Sequence, residues 1–159
     1  AIQFKFAAEN SSQTFNSDNE QNTIKYPKTY LKPNKTESKG LVTSRVGQGF
    51  YRQELIKKFD NKCAVTGINV EEILIASHII PWRHSNDDER LDVDNGILLS
   101  PLYDSLFDKN LISFKDNGEI IISEKVKDKE LVSLINFNAK IKISEGMKKY
   151  LNKHRSKLR

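Results

Sequence analysis

Apolar positions change rhythm several times along the chain, and each change marks an element. In "GFYRQELIKKF", Phe50, Leu55, Ile56 and Phe59 return at helical spacing with charges between them. The spacing predicts an amphipathic helix that exposes Arg52, Lys57 and Lys58. "NKCAVTGINV" predicts a short strand and a turn at Gly67. "EEILIASHIIP" is apolar and β-branched, which predicts a strand ending at Pro81. The polar stretch "WRHSNDDERLDVDN" predicts a long loop of the kind that carries function. "GILLS" returns as a second strand. Ser100 and Pro101 then open a helix, Ser as N-cap and Pro at the first helical position, running through "LYDSLFDKN". "LISF", "KDNG" and "EIIIS" predict a hairpin turning at Asn117 and Gly118. "KELVSLINF" and "SEGMKKYLNKHR" predict two further helices, the second capped by Ser144.

The pattern is α+β, with order beginning near Leu41. Residues 9–40 are dominated by Ser, Asn, Gln, Thr and Lys, and Pro27 and Pro33 interrupt them. The start "IQFKFAA" alternates for a few residues, as a strand of an upstream domain would. Residues 1–40 therefore read as a linker or the end of an upstream region, and 41–159 as one domain. The start lacks the basic and apolar regions of a signal peptide, and it opens on Ala1, as a fragment or processed product would. No run reaches the roughly 20 apolar residues of a membrane helix, so no membrane partner is expected.

Cys63 is the one cysteine in the sequence. Alone it cannot form an internal disulfide or build a Cys₄ or Cys₂His₂ site, so no structural zinc is expected. A small buried apolar role and a reducing compartment, the cytoplasm, follow. Net charge is +5, and the end "MKKYLNKHRSKLR" is dense in Lys and Arg and holds no acid. Such a run either meets an anionic partner, most commonly nucleic acid, or forms a solvated helix face.

A strand, a long loop, a second strand and a helix can fold so that His78, Asn95 and the carboxylates of Asp104 and Asp108 converge. Asp104 and Asp108 lie four apart, on one helix face. They are either two exposed acids near a helix start, Lys109 beside them as ion partner, or oxygen donors for a hard divalent cation. His78 on an apolar strand is either a hydrogen-bonded core residue or a base poised near neutrality. Asn95, between Asp94 and Gly96, is either a turn residue or a brace for the long loop. Arg45, Arg52, Arg83 and Arg90 are solvated cations or contacts for phosphate, and His84 is a loop residue.

The order "SRVGQGFYR", "CAVTG", "ASHIIPW" and "NGILLSPLYDSLFDKNLISF", over about residues 45–123, resembles the HNH endonuclease superfamily, in the restriction-type branch whose "CxVTG" turn precedes the histidine. The resemblance implies a ββα-metal core, a two-stranded antiparallel sheet and a helix, with flanking helices and a hairpin. It implies a metal-dependent endonuclease that hydrolyses phosphodiesters of double-stranded DNA, as the cleavage domain of a restriction or defence protein. His78 matches the general base, Asn95 the residue that holds the loop, and Asp104 the metal position, with Asp108 one turn on. Ser77 stands where members often place an acidic or histidine ligand. All-oxygen ligation points to a single Mg²⁺ or Mn²⁺. Tyr103 is the second choice for reaching the phosphate, and Lys148, Lys149, His154 and Arg155 of the basic tail are expected on DNA. Members often carry a Cys₄ zinc knuckle; here apolar packing by Trp82, Phe107, Leu111 and Phe114 must serve. A homodimer and an upstream recognition domain are the expected protein partners. The alternatives are a DNA-binding module of the same fold without catalysis, favoured by Ser77, and a nuclease acting on RNA.

Overall fold

The structure is a computed structural model that describes residues 45–159, with side chains from Gly47 onward. The expected linker, the alternating start and the onset near Leu41 lie outside the described residues. Arg45 opens the first helix, and its side chain is likewise not described.

Helix α1 (Arg45–Lys58) buries Phe50, Tyr51 and Leu55 along one face and ends on Lys57 and Lys58, cations suited to a helix C-terminus. Strand β1 (Ile75–His78) pairs antiparallel with β2 (Gly96–Leu99), His78 opposite Gly96 and Ile75 opposite Leu99. Helix α3 (Pro101–Asp108) follows β2 directly. Both α1 and α3 pack on this hairpin. The predicted strand, strand and helix are therefore present as an α+β unit with the order of a ββα core.

Three details differ from the pattern. "NKCAVTGINV" is a chain of turns and not a strand. Gly67 takes φ +72°, the amide of Gly67 returns to the carbonyl of Cys63, and the amide of Ala64 reaches Leu98. The buried Cys63 sulfur accepts the amides of Thr66 and Ser100, tying this turn to the head of α3. Second, β1 covers only four residues, because residues 71–73 form a tight 3₁₀ turn ahead of it. Third, the polar stretch is ordered. It contains two 3₁₀ turns (Trp82–His84 and Val93–Asn95) and a short helix α2 (Asp87–Leu91). A capping box starts α2: the Asn86 side chain accepts the Glu89 amide while the Glu89 carboxylate accepts the Asn86 amide.

The second hairpin, β3 (Ile112–Phe114) and β4 (Ile120–Ile122), turns at Gly118, φ +88°. Helices α4 (Lys129–Ser133) and α5 (Glu145–Arg155) follow. Phe107, Phe114, Ile97, Leu98 and Leu151 are fully enclosed in one cluster. Each such side chain contributes about 1.5–3 kcal/mol by leaving water. Trp82, expected in this core, stands instead half-buried beside His78. Ser100 and Ser144 precede their helices as expected, but neither side chain caps. The Ser144 hydroxyl donates to Asp94, which also accepts from Lys58. Tyr150 donates to Asp92. These acids fasten α1 and α5 to the turn that presents Asn95.

Candidate functional site

His78 is the last residue of β1, and its ring is fixed on three sides. Nε2 lies 2.9 Å from the backbone carbonyl of Arg90. A carbonyl only accepts, so Nε2 carries the proton and Nδ1 is the basic nitrogen. Among the described residues no hydrogen bond engages Nδ1. Tyr51 stacks on the ring face, centroids 4.1 Å apart and planes at 10°, and Trp82 meets it edge-on at 5.5 Å. Burial holds the imidazole below the ordinary histidine range, aided by the Arg90 charge and partly offset by the bond to the Arg90 carbonyl. The ring is therefore neutral at pH 7.

Asn95 is fully buried and satisfied on both sides. Its Oδ1 accepts the Ile80 amide at 2.8 Å; its Nδ2 donates to the carbonyl of Glu89 at 3.0 Å and the hydroxyl of Ser85 at 3.3 Å. Its own carbonyl accepts the Tyr51 hydroxyl at 2.9 Å and the Ile79 amide at 3.0 Å. One side chain thus spans both ends of the polar stretch whose Arg90 carbonyl holds His78. Gly96 makes room: a Cβ there would collide with the Tyr51 hydroxyl and with Leu55.

A cleft of about 700 Å³ opens beside His78. Residues 78–84, the turn 108–110 after α3 and the residues ending the chain after α5 line it. Asp108 is in this lining and its carboxylate meets Lys109 at 3.2 Å; Asp104, one turn back, is half-buried and is not in the lining. Ser77 is buried, and strand alternation turns it away from the face of His78. Among the described residues no three His, Cys, Asp or Glu side chains gather closely enough to hold a metal. A magnesium-like ion does not need three: it is commonly held by one or two carboxylates, with water and substrate phosphate filling the rest. Of the two expected carboxylates only Asp108 lines the cleft, so it is the one acid there that could take part in such a donor set, and Ser77 adds no charge to it.

The expected cations divide sharply. Arg83 and His84 line the cleft, the Arg83 Nε donating to His84. Arg90 does not face outward; its guanidinium donates to the Trp82 carbonyl and Asp87 and lies 5.0 Å over the Trp82 ring. Arg52 donates to the carbonyls of Leu74 and Glu71, holding the 3₁₀ turn that precedes β1. In α5, Lys148 pairs with Glu145, Lys149 lies near Asp92, and Arg155 binds Asp116 and the Phe114 carbonyl. Tyr103 and His154, expected at phosphate, are both buried, and His154 also borders the cleft. The Tyr103 hydroxyl, buried, accepts the Asn136 amide. His154 is 4% exposed, stacks on Phe107 at 3.9 Å and is bonded to Ser113 and the Phe107 carbonyl. Burial pushes its imidazole down to about 4.

Tyr51 was not singled out in the sequence, because an aromatic on a predicted amphipathic helix reads as core. Lys109, Lys157 and Arg159, which line the cleft, gave no local signal apart from charge.

Residues 63–115 match the HNH endonuclease family. The match covers a third of the chain and supports the HNH endonuclease superfamily for this segment. The HNH segment contains His78, Asn95, Asp104 and Asp108; α1 with Tyr51, and α5, lie outside it. The match suggests nuclease chemistry on nucleic acid, for which HNH proteins typically use a divalent metal. No protein of curated function matches the chain. No helix among the described residues is long and apolar enough to cross a membrane.

Proposed function

We propose that residues 41–159 form a metal-dependent endonuclease that hydrolyses phosphodiester bonds of double-stranded DNA, joined through residues 1–40 to the rest of a restriction or defence protein. The observation that carries the reading is the His78 ring, its Nε2–H committed to the Arg90 carbonyl and its Nδ1 without a partner among the described residues, beside a cationic cleft.

In this reading Nδ1 of His78 removes a proton from water, and the resulting hydroxide attacks phosphorus in line with the departing oxygen. Tyr51 and Trp82 hold the ring plane, and Asn95 holds the loop that supplies the Arg90 carbonyl. All three act as positioning residues. Asp108, with Asp104 one turn back, would hold the divalent ion, and all-oxygen donors favour Mg²⁺ or Mn²⁺. When bound, it neutralises charge on the phosphate and the leaving oxygen. One site per chain cuts one strand, so double-strand cleavage takes two copies. The single buried, unpaired Cys63 suits the cytoplasm.

The test is incubation with supercoiled plasmid and Mg²⁺ or Mn²⁺. Nicking is expected, and its loss in EDTA, in His78→Ala and in Asp104→Ala. The uncharged Ser77 supports the rival, a DNA-binding module without catalysis; binding without nicking in Mg²⁺, Mn²⁺ and Ni²⁺ would establish it. Cleavage of RNA in place of DNA would change the substrate class.

A further inference from the structure

We infer that the short segment after α5 is a second wall of the cleft, where Lys157 and Arg159 bind backbone phosphates of duplex DNA beside the scissile one. The inference rests on the reading of the cleft as a nuclease site, but Lys157 and Arg159 themselves lie outside the HNH segment.

Four cationic side chains line the cleft, Arg83, Lys109, Lys157 and Arg159, against one carboxylate, Asp108. Lys157 and Arg159 are exposed, and among the described residues neither head group has a protein partner. The contrast with α5 is plain. There Lys148, Lys149 and Arg155 each face an acid, Glu145, Asp92 and Asp116, while of the α5 lysines Lys153 has no acidic partner among the described residues and is not in the cleft lining. Lys157 and Arg159 are free to neutralise something else.

Their backbone is tied to the fold by hydrogen bonds. The amide of Arg159 donates to the carbonyl of Asn110 at 3.0 Å, in the turn that follows Asp108. The amides of Lys157 and Leu158 return to His154 and Arg155, continuing the helix end as a tight turn. His154 in turn stacks on Phe107 and bonds its carbonyl. The end of α5 is thereby fixed to the end of α3, the helix that carries both carboxylates. Cations held at a set distance from a reacting phosphate serve the neighbouring phosphates of the same duplex, which carries one charge per roughly 1.7 Å of axis.

The experiment measures binding of a short DNA duplex by the full chain carrying His78→Ala, in EDTA, across a salt series. Lys157→Gln with Arg159→Gln is compared with Lys148→Gln with Lys149→Gln. Each lost phosphate contact removes about 0.9 from the slope of log affinity against log salt, so the first pair is expected to flatten it by about 2. The second pair is expected to leave the slope nearly as it was. An unchanged slope in Lys157→Gln/Arg159→Gln, or an equal fall in both pairs, overturns the inference. Cleavage is not read in this assay. A flattened slope with a chain that never nicks plasmid would retain the phosphate wall and remove the nuclease; nicking with an unchanged slope would do the reverse.

Discussion

Asn95→Ala removes one small side chain and should cost far more than its size implies. The Ile80 amide loses its acceptor at a fully buried position, and the Glu89 carbonyl loses its donor. A buried backbone group left without a partner costs about 1–3 kcal/mol. Ile80 is enclosed and takes the full penalty; Glu89 is partly open to water and takes less. The sum is about 2–4 kcal/mol, a large share of the roughly 5–15 kcal/mol that holds a typical domain together. Urea unfolding monitored by Trp82 fluorescence measures it, with an unchanged m-value showing that the midpoint shift is a stability loss. Below the unfolding transition, plasmid nicking should fall further than the folded fraction does, because the loose loop no longer presents the Arg90 carbonyl to His78. A loss under about 1 kcal/mol would refute the reasoning: the loop would then be held by something other than this amide.

Tyr51→Phe keeps the stack on His78 but loses the hydroxyl bond to the Asn95 carbonyl; a cost of about 1 kcal/mol is expected in urea unfolding. Tyr51→Ala uncovers the imidazole, so its protonation should return toward the ordinary histidine range, seen by NMR titration and by an acid limb of kcat/KM displaced to higher pH. His154 is neutral in the folded chain down to about 4, whereas the unfolded chain takes up a proton near 6.5. Stability should therefore fall as pH drops from about 6.5 to 4, by about 3 kcal/mol from this group, and His154→Gln should lack that component in urea midpoints taken across the range. Gly96→Ala drives a methyl into the Tyr51 hydroxyl and to 2.7 Å from Leu55; a loss of about 1–3 kcal/mol is expected from thermal melting.

Much of the frame was legible because it is local. Strand period, Pro81 and the Ser-Pro helix start bracket β1, β2 and α3, and antiparallel pairing sets His78 opposite Gly96, next to Asn95. What escaped depends on partners distant in sequence. Tyr51 meets His78 and Asn95 only after α1 packs on the hairpin. The acids Glu145, Asp92 and Asp116 that meet Lys148, Lys149 and Arg155 of α5 were equally hidden, since nothing in "MKKYLNKHR" announces them. His154 and Tyr103 resembled surface groups by residue type, and the core provided hydrogen-bond partners that made their burial tolerable. The polar stretch 82–95 looked like plain loop because its helix spans barely more than one turn, and Asn86 with Glu89 is the local sign that was passed over.

The oxygen that orients His78 belongs to the main chain, and this has a consequence for genetics. Side-chain identity at position 90 is read by Trp82 and Asp87, while the imidazole reads an atom common to all residues. Scanning substitutions at that codon would report on anchoring alone and leave the acceptor intact. To weaken the acceptor itself takes chemical synthesis: an ester in place of the amide linking residues 90 and 91 would leave a poorer carbonyl in the same place.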